Sequence, residues 1–151
     1  MVEHQTTKKV SKRFFGIAIV VDDFADSPQV MASRAGGSVL NQLLVRGRHS
    51  QVSTLILSQR LRACGSLLRV NAQALVVFRL RNRLELDAII EELSAVYDKK
   101  VILEMYKLAT EEAFSFLYVN LAAQRVQDMF WKKIELRMNP TDAPSQNTTV
   151  E

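Results

Sequence analysis

The sequence has little of what several protein classes require. It holds one cysteine, Cys64, in 151 residues. A lone cysteine cannot close an internal disulfide, which excludes a secreted, disulfide-built scaffold. The two histidines, His4 and His49, complete no zinc ligand set with it. Neither histidine is evidently arranged to activate Cys64 as a nucleophile, so Cys64 reads as a small, partly buried apolar residue. No apolar run approaches the roughly 18 residues of a membrane span. The longest, Ile17 to Val21, is strand-sized. Met1 to Arg13 is polar and basic with no apolar stretch behind its charges, unlike a signal peptide. The expectation is a soluble, intracellular protein with no membrane partner, in which the sequon Asn147-Thr148-Thr149 has no meaning. The charge excess is also small, +4 from 20 basic and 16 acidic side chains. It permits contact with nucleic acid without demanding it.

What is present is apolar and patterned. Hydrophobic residues make up 48% of the chain, enough for one folded domain with a core. Phe14 to Val21 and Val52 to Leu57 are short, continuously apolar and β-branched, as strands buried on both faces are. Ala74 to Leu80 and Ala113 to Asn120 read as third and fourth strands. Helical spacing appears in Ser38 to Arg46, Leu84 to Val96 and Val101 to Ala109. In the second of these Leu86, Ile89, Ile90, Leu93 and Val96 form an apolar stripe, with Glu85, Glu91 and Glu92 as polar companions. Leu61 to Val70 is a helix or an irregular connector. Asp26-Ser27-Pro28 resembles a helix start, and Gly36-Gly37 a break. Residues 139–151 carry two prolines and no apolar pattern, and are expected to be a disordered tail. Strands alternating with helices predict an α/β chain with a mostly parallel sheet flanked by helices.

Ligands of such sheets sit at the carboxyl ends of the strands. The first strand ends in Asp22-Asp23. An apolar strand followed by two acids is the Walker B pattern: the first carboxylate is held beside Mg²⁺, and the second orients or deprotonates an attacking water. The bland alternative is a strand that has simply reached solvent. The second strand ends in Ser58-Gln59, and an amide at that position can orient water beside a γ-phosphate. Between the two strands lies Arg46-Gly47-Arg48-His49, at the opposite edge of the sheet from the acids. It reads as an arginine finger offered to a neighbouring subunit, as a DNA-phosphate contact or as a surface turn. Arg79, Arg81 and Arg83 are further finger or DNA candidates, or solvated charges. Phe130 and Trp131 cover the core or, in a minor reading, stack on bases.

Five segments together resemble a known family. They are IVVDDFADSP (Ile19 to Pro28), LLVRGRHSQVSTLILSQ (Leu43 to Gln59), LLRVNAQALVVFRLRN (Leu67 to Asn82), EELSAVYDKK (Glu91 to Lys100) and EEAFSFLYVN (Glu111 to Asn120). They are similar to the poxvirus-type genome-packaging ATPases, P-loop DNA translocases of the HerA/FtsK superfamily, over about Phe15 to Leu136. The resemblance implies a RecA-like α/β fold and a motor driven by ATP and Mg²⁺. That motor moves double-stranded DNA through a homo-oligomeric ring, a hexamer, into a viral capsid, at a viral factory or in the virion. It implies Asp22 as the magnesium-linked acid, Asp23 as the water-activating acid, Gln59 as the sensor and Arg48, then Arg46, as the arginine acting in trans. The family's phosphate loop, GxxxxGK(S/T), does not occur in these 151 residues, and Gly36-Gly37-Ser38 has no lysine. That loop supplies the amides and lysine that cradle phosphates. The chain is therefore expected to be the C-terminal half of an ATPase domain at residues 14–138, after a basic segment at 1–13 and before the tail. Without the Walker A strand and loop it is expected to leave apolar sheet edges open and to be inactive alone. The alternative is a catalytically silent α/β half-domain that binds DNA or an intact ATPase.

Overall fold

A computed structural model of the chain describes residues 16–22 and 39–140. The chain divides into two compact units, residues 1–71 and 72–151.

The first unit is built on a parallel pair of strands. β1 (Ile17–Asp22) and β2 (Val52–Leu57) run in register from Ile17 opposite Val52 to Asp22 opposite Leu57. Side chains alternate across a strand. Ile19, Val21, Val52, Thr54 and Ile56 are half-buried on one face. Helices α1 (Val39–Arg46) and α2 (Ser66–Asn71) supply its cover. Leu40 and Leu68 are buried there, with Val21, Leu44, Ile56 and Cys64 packed against them. A 3₁₀ turn, Gly47–Ser50, leads from α1 into β2. Gly47 fits closely there: a Cβ would sit 3.2 Å from the Val52 carbonyl oxygen, so a larger residue would push on β2. The other face holds Ala18, Val20, Ser53, Leu55 and Leu57, and it is bare: Val20 is 60% exposed and Leu55 54%. The sequence is written for burial on both faces, as parallel strands are, yet only one face is covered among the described residues. Residues 61–70, left open between helix and connector, resolve into a 3₁₀ turn, Leu61–Ala63, followed by α2. Phe14, Phe15, the Asp26-Ser27-Pro28 start and the Gly36-Gly37 break lie outside the described residues.

The second unit is β3 (Ala74–Phe78), α3 (Arg83–Leu93), α4 (Lys99–Ala109), β4 (Phe116–Asn120), β5 (Phe130–Lys132) and β6 (Leu136–Arg137). Its strands form one sheet in the order β3-β4-β5-β6, antiparallel throughout. The α/β expectation holds, but the pairing is mixed: parallel in the first unit and antiparallel in the second. The reason is the number of helices between β3 and β4. One helix returns a chain to the start of the first strand and gives a parallel neighbour. Here two helices of 11 residues each pack together. They carry the chain out and back, so β4 starts where β3 ends, with Phe78 opposite Phe116.

Asn82 caps α3 by accepting a hydrogen bond from the Leu84 amide at 2.9 Å. Ile89, Ile90 and Leu93 are buried as the stripe requires, whereas Glu85, expected as a polar companion, is buried too. Ile102, Ala109, Leu117, Val119 and Phe130 are fully inaccessible and form the centre of the core. Phe130 thus does what its apolar ring suggests. Trp131 is half-buried, with its indole Nε1 donating to the Asp128 carbonyl at 2.8 Å. Of the expected tail, Asn139 and Pro140 are described and residues 141–151 are not. Among the described residues, no helix is long and apolar enough to cross a membrane.

Candidate functional site

The parallel register decides which residues share an end of the first sheet. Asp22 is the last residue of β1 and lies opposite Leu57, the last of β2. Ser58 and Gln59 continue directly from Leu57. Asp22 and Gln59, read from sequence as partners, therefore lie at the same, carboxyl end of the sheet, Gln59 two residues beyond the partner of Asp22, and both are exposed. By alternation Asp22 projects from the bare face with Val20. The turn after Gln59 is fixed locally. The Ser58 hydroxyl accepts from the Arg60 amide at 3.2 Å and donates to the Arg60 carbonyl at 3.0 Å. The Cys64 thiol reaches the same carbonyl at 3.7 Å, and the Cys64 amide donates to Leu61 at 3.0 Å. Cys64 thus helps shape the loop, in keeping with its reading as a structural residue. Asp23 lies outside the described residues.

The basic turn sits at the other end. Arg46 closes α1 and is exposed, and Arg48 follows in the 3₁₀ turn that precedes β2. A six-residue strand separates this turn from the Asp22 end, about 17–20 Å at 3.3 Å per residue. Arg46 and the backbone of Arg48 thus stand about a strand length from the Asp22 end of their own sheet. In the second unit, Arg83 pairs with Asp87 at 3.9 Å along α3. Arg79 and Arg81 are exposed, with no ion pair among the described residues.

One residue at the Asp22 end was missed from sequence: Arg60, one position past Gln59 and exposed. Between Asp26 and Glu85 the chain has nine arginines, no lysine and no acid. Guanidinium suits bidentate contact with phosphate better than ammonium does, and these arginines are spread over both units.

Among the described residues no three His, Cys, Asp or Glu side chains cluster to hold a metal by themselves. That rules a dedicated cage out of the described part. It leaves the Mg²⁺ habit of binding through one or two carboxylates plus substrate phosphates and water, which a single carboxylate at a strand end fits. A shallow depression lined by Ser94, Asp98, Lys99 and Lys100 shares no residue with this site.

No protein-family model matches the chain, and no curated protein matches it. Solved structures do match its fold. One is the genome packaging NTPase B204 from Sulfolobus turreted icosahedral virus 2 in complex with AMP, with 18% identity, a TM-score of 0.55, and coverage of 74% of this chain and 51% of that one. The same NTPase in complex with ATP-γS gives 15% identity, a TM-score of 0.52, and coverage of 72% and 48%. The chain spans about half the length of that NTPase. Over nearly three quarters of its own length, this chain has the fold of about half of a genome packaging NTPase.

Proposed function

We propose that the chain supplies the magnesium-linked and water-orienting side of the active site in an ATP-driven DNA translocase of the HerA/FtsK type, one that packages viral or transposon DNA. The observation that supports this reading is that Asp22 ends β1 opposite Leu57 at the end of a parallel β2, with Gln59 two residues further on. The likeness in fold to a packaging NTPase supports it. Asp22 is the carboxylate that would hold Mg²⁺, and the ion, when bound, neutralises charge on the phosphates. Asp23 takes the proton of the attacking water, and the Gln59 amide orients that water. Arg48, with Arg46 as the next candidate, faces a neighbouring subunit's site in a ring, since it stands a full strand length from its own. Double-stranded DNA, a hexameric ring and the capsid are the partners this reading entails.

The 151 residues hold no GxxxxGK(S/T) loop, so the nucleotide's phosphates have no backbone cradle within them. The reading therefore needs that loop from polypeptide beyond these residues. The same observation favours a second reading, a catalytically silent half-domain that binds DNA or an ATPase. Turnover separates the two. In an assembled ring containing this chain, Arg48→Ala is expected to lower ATP hydrolysis by about 10³- to 10⁵-fold, as loss of a true arginine finger does. Unchanged turnover in that variant rejects the finger, and no hydrolysis in any assembly favours the silent half-domain.

A further inference from the structure

The turn after β2 fixes the backbone of Arg60 with three bonds. Its amide donates to the Ser58 hydroxyl at 3.2 Å, and its carbonyl accepts from that hydroxyl at 3.0 Å and from the Cys64 thiol at 3.7 Å. The bonds to Ser58 close a side-chain turn, so the chain curls at the end of the sheet instead of running on past it. The bond from Cys64 ties that curl to the helices that cover the sheet. Cys64 packs against Leu40 and Leu68, and its amide donates to the Leu61 carbonyl at 3.0 Å. Arg60 itself is extended, at φ −134° and ψ 110°, and exposed. Among the described residues its guanidinium has no ion pair.

Its place relative to Asp22 follows from the register. Asp22 lies opposite Leu57, and Arg60 is three residues past Leu57. At about 3.3 Å per residue its backbone lies no more than about 10 Å beyond the end of the sheet, and the Ser58 turn shortens that distance. An arginine side chain and a polyphosphate held on Asp22 through Mg²⁺ together bridge such a gap. Arg46 and Arg48, by contrast, stand at the other end of β2. A carboxylate and a guanidinium at one end of a sheet complement a magnesium–polyphosphate pair. The acid meets the cation, and the planar fork meets two phosphate oxygens. Anchoring the Arg60 backbone beforehand reduces the ordering that binding must supply.

We propose that Arg60 is a phosphate-binding residue acting in cis, its guanidinium meeting the terminal phosphate of a nucleotide at the Asp22 end of the same sheet. This inference rests on the reading of that end as a nucleotide site. The test is titration of the 151-residue chain with inorganic tripolyphosphate, with and without Mg²⁺, followed through the arginine Nε–Hε NMR signals. Binding in the millimolar range is expected, because the phosphate cradle is absent, and Mg²⁺ should strengthen it. The Arg60 signal should move saturably. Arg60→Gln should weaken binding about tenfold, the loss expected of one charge-assisted contact, and Arg60→Lys should recover part of it. Arg125→Gln removes the same charge from the second unit and should change little. Asp22→Asn should abolish the Mg²⁺ dependence. If Asp22→Asn does so while Arg60→Gln binds like the unaltered chain, the Arg60 assignment falls and the nucleotide-site reading stands. Equal losses in Arg60→Gln and Arg125→Gln also reject the assignment, since overall charge then holds the anion. No binding, or binding indifferent to Mg²⁺ and to both Asp22→Asn and Arg60→Gln, overturns the assignment and the reading together.

Discussion

The Tyr106 hydroxyl accepts a hydrogen bond from the Leu80 amide at 2.7 Å and reaches the Phe78 carbonyl at 3.4 Å. Tyr106 is itself buried, so one side chain of α4 satisfies the backbone where β3 ends and the arginine-rich turn begins. Tyr106→Phe removes that partner while keeping the ring, and is expected to cost about 1–2 kcal/mol. Urea unfolding checks this, and an unchanged midpoint would show that water replaces the hydroxyl. At this scale the sequence was informative where chemistry and strand ends coincide. The strand-end positions of Asp22 and Gln59 could be read because an apolar run stops and a polar group follows. Arg60 could not, since nothing local marks one exposed arginine over another; its position follows from the turn that Ser58 closes. The burial of Glu85 was equally hidden, because a glutamate in the first turn of a helix ordinarily faces water.

Strand periodicity located β2 to the residue, and β1 and β3 to within a few. What it could not give was pairing. Continuous apolar runs such as FFGIAIVV signal burial on both faces and suggest parallel neighbours, which is true of β1 and β2. For β3 and β4 the deciding feature was the break near Asp98, which makes two helices of what might have been one crossover. β5 and β6 have three and two residues, too few for any periodicity. The two faces of β2 make the element-scale account testable. Ile56 packs against the Leu40 and Leu68 cluster, while Leu55 is exposed on the bare face. Ile56→Ala is expected to cost about 2 kcal/mol or more, and Leu55→Ala less than about 0.5 kcal/mol. Equal costs, measured by denaturation, would mean that both faces are covered in solution.

For the molecule as a whole, the resemblance read from five segments and the fold match point the same way, although the fold match alone is blind to chemistry at 15–18% identity. Among the described residues, nothing covers the aliphatic face of the first sheet, and the chain spans about half of its structural relative. The central claim is that the Asp22 and Gln59 end of this sheet is one side of a nucleotide site whose phosphate cradle lies outside these residues. The most direct measurement is calorimetric binding of ATP-γS with Mg²⁺, first to the 151-residue chain and then to an assembly in which a GxxxxGK(S/T)-bearing polypeptide completes it. The account expects no micromolar binding by the chain alone. In the assembly it expects binding that depends on Mg²⁺ and is weakened by Asp22→Asn. Micromolar binding by the isolated chain, or an assembly indifferent to Asp22→Asn, would contradict it.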